Sequence, residues 1–550
     1  MASRPRPSGP RGPRRPRLRA ATATVLSAVT LFVASLAPGI VASWSTLALL
    51  RVPLDAVVAL VLLVFLPWAA ARRVVAILFA VLIVLATLGA ALDRAFTETV
   101  GRTFDVLTGW PELADGYGVV SDSTGPVLAV LILVLLAVAV VGATAAVAAS
   151  LLHLAAVLGH RRAPTMIGAS AVTAGWLALA IVGVQLVPGE PVAAADAVTV
   201  TAAKADQAVA AARDQAAFDR EGADDPYAQL PPTDLLTGLK GKDVIVAFVE
   251  SYGQTAVQGS SFSPGVDAVL RDGDAQLAAH GYSERSAFLT SPTFGGVSWL
   301  AHSTLQTGLW IDSQQKYDQV TSGQRLTLSD AFRRAGWRTI SDVPSDTKPW
   351  PVGRSFYHFD SQLNAKNVGY RGPKFSYARV PDQYTLSSFQ QHELAKPHAP
   401  LMAEIDFVSS HTPWTPLPHP VPWSAVGDGS IFDGQPEQGL PPSVVWQDPA
   451  HVQQLYGQSI QYTMGSLFSF LTTFDDPNLV LVVLGDHQPA RVVSGADATH
   501  DVPISIIAKD PAVMQRISSW GWQPGMLPSP TAPVWRMDAF RDRFLSAYGN

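Results

Sequence analysis

The sequence of 550 residues contains no cysteine, and this absence excludes several kinds of chemistry at once. Disulfide bonds, zinc–thiolate sites and cysteine nucleophiles all require a side chain that the protein does not have. Any part of the chain that lies outside the cytoplasm must therefore be stabilised by its hydrophobic core alone. The length allows two or three domains, so a sufficiently large core is feasible.

The chain also lacks a strong net charge, because its formal charge is only −5. This balance gives no reason to expect nucleic acid as a partner. The charge is nevertheless unevenly placed: residues 1–19 contain seven arginines and no acidic residue, interleaved with proline and glycine. Such a composition is typical of a disordered basic tail.

Charged residues are missing from five apolar stretches in the first third of the chain. Each is near the length of about 20 residues that crosses a bilayer as a helix. A buried helical hairpin of a soluble protein is the alternative, but five such stretches in succession favour a transmembrane domain of five helices over residues 20–188. The stretches are 20–50, 56–71, 74–92, 127–158 and 166–187.

The positions of the arginines predict how this domain is oriented. If all five stretches span, the N-terminal tail, Arg72-Arg73 and Arg161-Arg162 fall on one side of the membrane. The positive-inside rule places that side in the cytoplasm. We therefore expect a multi-pass plasma-membrane protein of a bacterial cell envelope, with its N-terminus inside and the rest of the chain outside.

The remaining residues predict a linker followed by an α/β domain. Residues 189–240 are rich in alanine, aspartate, glutamine and proline, and 203–218 has the pattern of an amphipathic helix. From residue 241 to 550, buried strands alternate with helices, which is typical of a mainly parallel central sheet. The predicted strands are 243–250, 337–343, 400–410, 479–485 and 502–510, and the predicted helices are 267–281, 328–336 and 455–474.

Carboxylates and imidazoles adjoin the ends of several predicted strands. Glu250 ends the first strand, His411 follows another, Asp486-His487 follow the run "LVLVVLG", and His500 precedes the last strand. Open α/β sheets bind ligands at the carboxyl ends of their strands, and these side chains are ready metal ligands. Each also has a structural alternative: Glu250 could cap a helix, and His411 could pack near Trp414.

A candidate nucleophile lies in the stretch "SPTFGGVSWLAHSTLQTGLW", residues 291–310. Gly295-Gly296 permits close backbone approach, and Ser298 opens a helical pattern that ends at Thr307-Gly308. A hydroxyl at a helix start lies beside N–H groups that favour anions, and a divalent cation would lower its pKa. The alternative is that Ser298 only caps the helix.

This pattern resembles the alkaline phosphatase superfamily, in particular the sulfatase-like branch that contains lipoteichoic acid synthases and phosphoethanolamine transferases. The motifs cover residues 242–510, and Ser298 precedes Thr307-Gly308 at the spacing of nine residues found in sulfatases. The resemblance implies that Glu250, Ser298, Asp486 and His487 hold one divalent cation, with Mn²⁺ or Mg²⁺ expected and Zn²⁺ possible, and that Ser298 is the nucleophile.

Further residues are implicated by the same resemblance. "SSHTPW" is similar to the segment of lipoteichoic acid synthases that contacts the substrate phosphate, which implicates His411. "KPWPVGRSFYHFD" is similar to their substrate-binding segment and points to Trp350 and Arg354. His500 matches a second active-site histidine of phosphoethanolamine transferases.

The function implied is transfer of a phospho-alcohol group from a phospholipid to an extracytoplasmic glycan or polymer through a phosphorylated Ser298. The expected donor is similar to phosphatidylglycerol, so glycerol phosphate would be transferred. Three departures matter: serine replaces the threonine nucleophile, no disulfides are possible, and "SWLAH" lacks the Pro and Arg that formylglycine sulfatases require. The alternatives are a phosphodiesterase, phosphatase or sulfatase-type hydrolase of the same fold, and a non-catalytic membrane sensor or scaffold.

Overall fold

The structure, a computed structural model, describes residues 15–114, 116–117, 125–188 and 191–550. These residues form two compact units, one within 1–96 and 103–211 and the other comprising 97–102 and 212–550. Most of the predicted basic tail, 1–19, lies outside the described residues.

The first unit is built from apolar helices. Among the described residues, four helices are long and apolar enough to cross a membrane. The predicted span at 56–71 corresponds to a shorter apolar helix of 12 residues, α2. The helices are α1 (Arg15–Ser43), α2 (Leu54–Phe65), α3 (Ala69–Val100), α4 (Pro126–Gly159), α5 (Arg162–Val182) and α6 (Asp196–Ala223), and α6 continues into the second unit.

The second unit is organised around a nine-stranded sheet. Its middle strands β1, β5 and β6 are buried along nearly their whole length, as expected where helices cover both faces, and they are largely hydrophobic except for Glu404 and Asp406 in β5. The order across the sheet is β8-β2-β7-β6-β1-β5-β3-β4, and β9 also pairs with β2. The bounds are β1 Asp243–Val249, β2 Ser283–Thr290, β3 Arg338–Val343, β4 Ser361–Asn364, β5 Leu401–Phe407, β6 Leu479–Gly485, β7 Asp501–Ala508, β8 Gln523–Pro524 and β9 Val534–Arg536.

The sheet is mainly parallel, which confirms the predicted fold class. β1 pairs in parallel with both β5 and β6, and β3 pairs in parallel with β4 and β5. β7 runs antiparallel to β6 and β2. Because of this reversal, β7 begins at the edge where the parallel strands end, so His500 lies at the same edge as Glu250 and Asp486.

Helices on both faces of the sheet complete two hydrophobic cores. Val246 and Phe248 of β1 belong to one core, and Ile245 and Ala247 belong to the other, as the alternation of side chains along a strand requires. The helices are α7 (Ser263–Ala279), α8 (Ser298–Thr307), α9 (Gln314–Thr321), α10 (Leu328–Arg334), α11 (Pro351–Ser355), α12 (Asp382–Phe389), α13 (Pro442–Val445), α14 (Pro449–Phe474), α15 (Arg491–Ser494), α16 (Pro511–Arg516) and α17 (Ala539–Tyr548).

Candidate active site

Glu250 and Asp486 lie side by side because their strands are neighbours in register. Val249 of β1 pairs with Gly485 of β6, and each acidic residue is the next one along its strand. The Asp486 carboxylate accepts hydrogen bonds from the backbone N–H groups of Ser251 and His487, both at 2.7 Å. These two bonds fix the Asp486 carboxylate in position.

Ser298 is the first residue of α8, and its hydroxyl points away from the helix toward the strand ends. Its Oγ lies 3.1 Å from Glu250 Oε2 and 3.1 Å from His487 Nε2. The capping position is taken by Val297, in the left-handed conformation with φ of 57°. Ser298 therefore does not act as the helix cap, and its hydroxyl is directed toward the acidic and imidazole groups.

The hydrogen bonding of His487 fixes which ring nitrogen faces this group. Its Nδ1 lies 2.9 Å from the carbonyl oxygen of Gln488, to which it donates. In the neutral ring Nε2 then carries the lone pair, and it lies 3.4 Å from Glu250 Oε1 and 3.5 Å from Asp486 Oδ2. A ligating histidine is oriented in this way when its other nitrogen donates to a carbonyl.

The electrostatics of the group reflect two carboxylates confined in a buried space. Burial and the nearby charge of Glu250 raise the pKa of Asp486 to about 7. For Glu250 burial acts in the same direction, but the imidazoles of His411 and His487 outweigh it and lower its pKa to about 2. The pair thus holds more negative charge than a buried site tolerates without a cation.

The donor set fits a divalent cation. One atom each of Glu250, Asp486 and His487 can be chosen so that all lie within 4.8 Å of one another, and Ser298 Oγ adjoins them. Two carboxylates, an imidazole and a hydroxyl, without sulfur, suit Mn²⁺ or Zn²⁺. These four residues are the ligand set that the sequence resemblance implied, and the structure brings them together.

Two glycines allow the backbone to approach the group closely. A Cβ on Gly485 would lie 1.9 Å from the carbonyl oxygen of Tyr252, so only glycine fits before Asp486. Gly295 has φ of 70°, and a Cβ there would lie 1.9 Å from the carbonyl oxygen of Thr99. Both positions therefore require glycine, as proposed from the sequence for Gly295.

Ser298 opens into a cavity of 390 Å³ that also exposes Glu250 and Asp486. Its walls combine aromatic rings with carboxylates and imidazoles. Beyond the metal ligands, the cavity is lined by Phe248, Gly296, Val297, Trp299, His302, Tyr317, Val343, Ser345, Asp346, Trp350, Tyr357, Tyr377, Glu404, Asp406, Phe407, Val408 and His411.

Two of the predicted substrate-binding residues lie in this cavity wall. His411 stacks on Tyr377 with ring centroids 3.5 Å apart, and its Nδ1 lies 2.6 Å from the carbonyl oxygen of Thr412. Trp350 packs against Tyr357, with ring centroids 5.2 Å apart. Both side chains are thus held in place beside Ser298 by aromatic neighbours.

The other two predicted residues are placed differently. Arg354 belongs to the short helix α11 and is exposed, outside the set of residues that lines the cavity. His500 lies behind the ligand group, with its Nδ1 3.2 Å from the carbonyl oxygen of Ser291. Ser291 in turn donates its hydroxyl to the carbonyl oxygen of Asp486 at 2.6 Å. His500 is therefore linked to the site through the backbone, not through a direct side-chain contact.

The cavity also contains His302, Glu404 and Asp406, which were not predicted from the sequence as site residues. The spacing of these residues along the sequence could have indicated that they lie near Ser298 and on one face of the sheet. His302 follows Ser298 by four residues and so lies one helical turn along the same face of α8. Glu404 and Asp406 alternate in a strand, which places both on one face of the sheet.

The comparisons with known proteins concern the fold. No protein-family model and no curated protein matches the chain. Among solved structures, the chain is similar to the integral membrane lipooligosaccharide phosphoethanolamine transferase A from Neisseria meningitidis. The two are 13% identical over 96% of this chain and 95% of that chain, with a TM-score of 0.45.

Two further solved structures match about half of the chain. The lipoteichoic acid synthase LtaP from Listeria monocytogenes is 15% identical over 49% of this chain and 66% of its own, with a TM-score of 0.33. A protein in the alkaline phosphatase superfamily from Vibrio parahaemolyticus is 15% identical over 59% of this chain and 71% of its own, with a TM-score of 0.36. The superfamily that the sequence resembles is thus represented among the similar structures.

Proposed function

We propose that the protein is a membrane-anchored, metal-dependent phosphotransferase that uses Ser298 as its nucleophile. The observation that carries this proposal is the position of the Ser298 hydroxyl, 3.1 Å from both Glu250 Oε2 and His487 Nε2, at the start of a helix and at the mouth of a cavity. A serine with only a structural role would have no need of two such partners.

Each residue would have a defined part in the reaction. A divalent cation bound by Glu250, Asp486, His487 and Ser298 would lower the pKa of the hydroxyl and offset phosphate charge. Glu250 accepts the hydroxyl hydrogen bond and can take the proton as Ser298 attacks. The first N–H groups of α8 favour the phosphate oxygens.

The chemistry proceeds in two displacements. Ser298 Oγ forms a bond to the phosphorus of a phosphodiester, the bond to the lipid alcohol breaks, and His411 gives that oxygen its proton. An acceptor hydroxyl then attacks the phosphorus and loses its proton to the now neutral His411, while the bond to Ser298 Oγ breaks and that oxygen regains its proton from Glu250. Trp350 would pack against the transferred alcohol. Arg354 and His500 would assist phosphate binding without contacting the phosphate directly.

The proposed substrates follow from the membrane helices. A phospholipid such as phosphatidylglycerol would be the donor, a glycan or growing polymer outside the cytoplasm would be the acceptor, and glycerol phosphate would be the group transferred. The N-terminus would face the cytoplasm, with the second unit outside the membrane. With the shorter helix α2 as the fifth crossing, helices α1 to α5 would anchor the second unit to the membrane in which the donor resides.

The covalent intermediate provides the test. Full-length protein in detergent, loaded with Mn²⁺, is incubated with phosphatidylglycerol or phosphatidylethanolamine and its intact mass is measured. We expect an adduct of glycerol phosphate that maps to the peptide with Ser298, and none on the Ser298→Ala variant. An adduct of ethanolamine phosphate instead would reassign the head group, and complete absence of adduct would refute the nucleophilic role.

A hydrolase of the same fold is the second candidate, and the cavity favours it in one respect: its opening admits water as readily as an acceptor. Labelled phospholipid with and without glycan acceptor separates the two. Label that moves to the glycan identifies a transferase, whereas free glycerol phosphate under both conditions identifies a phosphodiesterase. A sensor or scaffold would require that Ser298→Ala retain full biological activity.

A further inference from the structure

A second group of potential metal ligands lies in the same cavity, separate from the Ser298 group. His302 Nδ1 is 3.7 Å from Glu404 Oε1 and 3.6 Å from Asp406 Oδ1. One ligand atom from each of the three residues lies within 4.8 Å of the other two. None of them belongs to the predicted ligand set of Glu250, Ser298, Asp486 and His487.

The register of the sheet separates the two groups along the strands. Asp406 pairs with Phe248 of β1, so Glu250 stands two residues further toward the strand end, about 6.6 Å away along the strand. Metal pairs that share ligands lie about 3.5–4 Å apart. The His302 group is therefore a distinct site, set back along the strands from the Ser298 group.

The three side chains are held firmly. The His302 ring stacks on Phe248 with centroids 3.8 Å apart and an angle of 18° between the planes. Glu404 accepts a hydrogen bond from Gln306 through Oε2, which leaves Oε1 facing His302. His302 and Gln306 lie on α8, so the helix that begins with Ser298 also positions this group.

Polar atoms in the group are buried without partners. Among the described residues, neither Asp406 Oδ1 nor His302 Nε2 has a hydrogen-bond partner, although both atoms are inaccessible to solvent. The ion pairs of the described residues provide no Lys or Arg for Glu404 or Asp406. A buried carboxylate oxygen without a hydrogen bond or a positively charged neighbour is unfavourable. A bound cation would remove this cost.

The distances between the ligand atoms indicate which kind of cation the group can bind. Separations of 3.6–3.7 Å between ligand atoms correspond to a tetrahedron with bonds of about 2.2 Å, within the range for transition metals bound by carboxylates and imidazole. An imidazole ligand disfavours Mg²⁺ and Ca²⁺, which prefer oxygen alone.

We propose that His302, Glu404 and Asp406 hold a second divalent transition-metal ion, such as Zn²⁺ or Mn²⁺, in the wall of the active-site cavity. All three residues line the cavity, so water or an oxygen of the substrate's head group completes the coordination. The ion also ties β5 to the helix that carries Ser298. This site does not depend on the proposed phosphotransfer.

Metal content tests the proposal without reference to activity. Full-length protein in detergent is stripped with chelator, dialysed against Zn²⁺ and analysed by mass spectrometry of the metal. We expect two Zn²⁺ per chain in the wild type and one in His302→Gln and in Asp406→Asn. The matched control is Asp346→Asn, which alters another cavity carboxylate outside the group and should retain two.

The variant Asp486→Asn distinguishes this proposal from the first one. If both sites exist, it loses one Zn²⁺ and the double variant Asp486→Asn/His302→Gln loses both. If only the His302 site exists, the wild type holds one Zn²⁺ that His302→Gln removes and Asp486→Asn does not. A wild type with one Zn²⁺ that survives His302→Gln overturns the second site, as would two Zn²⁺ retained in both His302→Gln and Asp406→Asn.

A misfolded variant is detected by a second measurement. Co²⁺ added to stripped wild type should give visible absorption from two kinds of site, and addition of Zn²⁺ should displace both. His302→Gln should lack one component while its Trp fluorescence spectrum stays that of the wild type. Identical Co²⁺ spectra for the wild type and a folded His302→Gln variant would overturn the proposal.

Discussion

At the scale of single residues, the most informative position next to the ligand group is Ser251. Its hydroxyl donates to Glu250 Oε1 at 2.8 Å, and its backbone adopts φ of 58°. Ser251→Ala keeps the backbone conformation and removes only the bond that orients Glu250. Loss of such an outer contact to a ligand typically costs about tenfold or more in metal affinity.

We therefore expect Ser251→Ala to raise the Mn²⁺ concentration for half-maximal turnover about tenfold, with little change in maximal rate at saturating metal. The matched control is Ser494→Ala, which removes a hydroxyl bonded to the carbonyl oxygen of Pro489 in the loop after β6. An unchanged Mn²⁺ requirement in Ser251→Ala would show that Glu250 needs no support from Ser251.

A second residue, Glu284 of β2, links stability to pH. Burial, with a smaller contribution from the charge of Asp274, raises the pKa of Glu284 from 4.5 to about 7. The folded protein holds this proton more tightly than the unfolded chain does. Stability contributed by the neutral carboxyl is therefore present below pH 4.5 and is lost as the pH rises toward 7.

Glu284→Gln should remove this loss. We expect the variant to gain on the order of 1 kcal/mol over the wild type at pH 8 and almost nothing at pH 4.5, after allowing for solvent screening of a half-buried group. Thermal unfolding at the two pH values measures the difference. Asp272→Asn, an exposed carboxyl in α7, should leave the profile unchanged, and an equal gain at both pH values would contradict the assignment.

At the scale of elements, α7 and α14 pack closely because glycine stands at their contact. A Cβ on Gly273 would lie 2.4 Å from ring atoms of Phe468, which is fully buried. Gly465, also in α14, has no atom within 4 Å of a built Cβ. The packing of the two helices thus requires glycine at position 273 but not at position 465.

Alanine substitution should therefore act in opposite directions at the two sites. Gly273→Ala should destabilise the second unit by about 1–3 kcal/mol, the usual cost of overpacking. Gly465→Ala should stabilise it by about 0.5–1 kcal/mol, because alanine favours the helix and meets no neighbour. Denaturant unfolding followed by Trp fluorescence measures both, and destabilisation by Gly465→Ala would show that its surroundings are crowded.

The elements that the sequence predicts well are those whose pattern does not depend on distant residues. Strands β1 and β6 are almost entirely apolar, so their burial was evident, and the structure places the acidic residues that follow them, Glu250 and Asp486, side by side at one edge. Strand β2 was missed because it begins with Ser283, Glu284 and Arg285, which stay partly exposed. The two- and three-residue strands β8 and β9 have no pattern of their own.

For the same reason, only part of the candidate site could be predicted from the sequence. Ligands that directly follow strands, such as Glu250 and Asp486, are visible in a single sequence, whereas Glu404 and Asp406 were hidden inside β5, where a buried strand is expected to be apolar. Arg354 was selected by motif similarity alone. Its exposure depends on how α11 packs, which a motif does not specify.

At the scale of the whole molecule, the two units have different sources of stability. The first unit consists of apolar helices with many large hydrophobic side chains exposed, so it requires a lipid or detergent environment. The second unit has two buried cores around a sheet and no disulfides, and it contains the residues that would bind metal. Metal should therefore stabilise only the second unit.

We expect chelation of the full-length protein in detergent to lower the unfolding temperature of the second unit and leave the helices of the first unit unaffected. A cation at 100 times its dissociation constant stabilises the state that binds it by about 2.7 kcal/mol, which corresponds to several degrees in a domain of this size. Ten of the 14 tryptophans lie beyond residue 211, so fluorescence follows mainly the second unit.

Hydrogen exchange resolves the two units within one sample. On addition of Mn²⁺ or Zn²⁺, peptides that contain Glu250, Ser298 and Asp486 should exchange more slowly, whereas peptides from α1 and α4 should not change. In a His302→Gln background, which lacks the second ion, Glu250→Gln/Asp486→Asn should abolish protection around Ser298, because the charges that hold the remaining ion are removed while side-chain size is kept. Protection that persists at Ser298 in this triple variant would mean that the ion is bound elsewhere, and the proposed activation of the serine would fail with it.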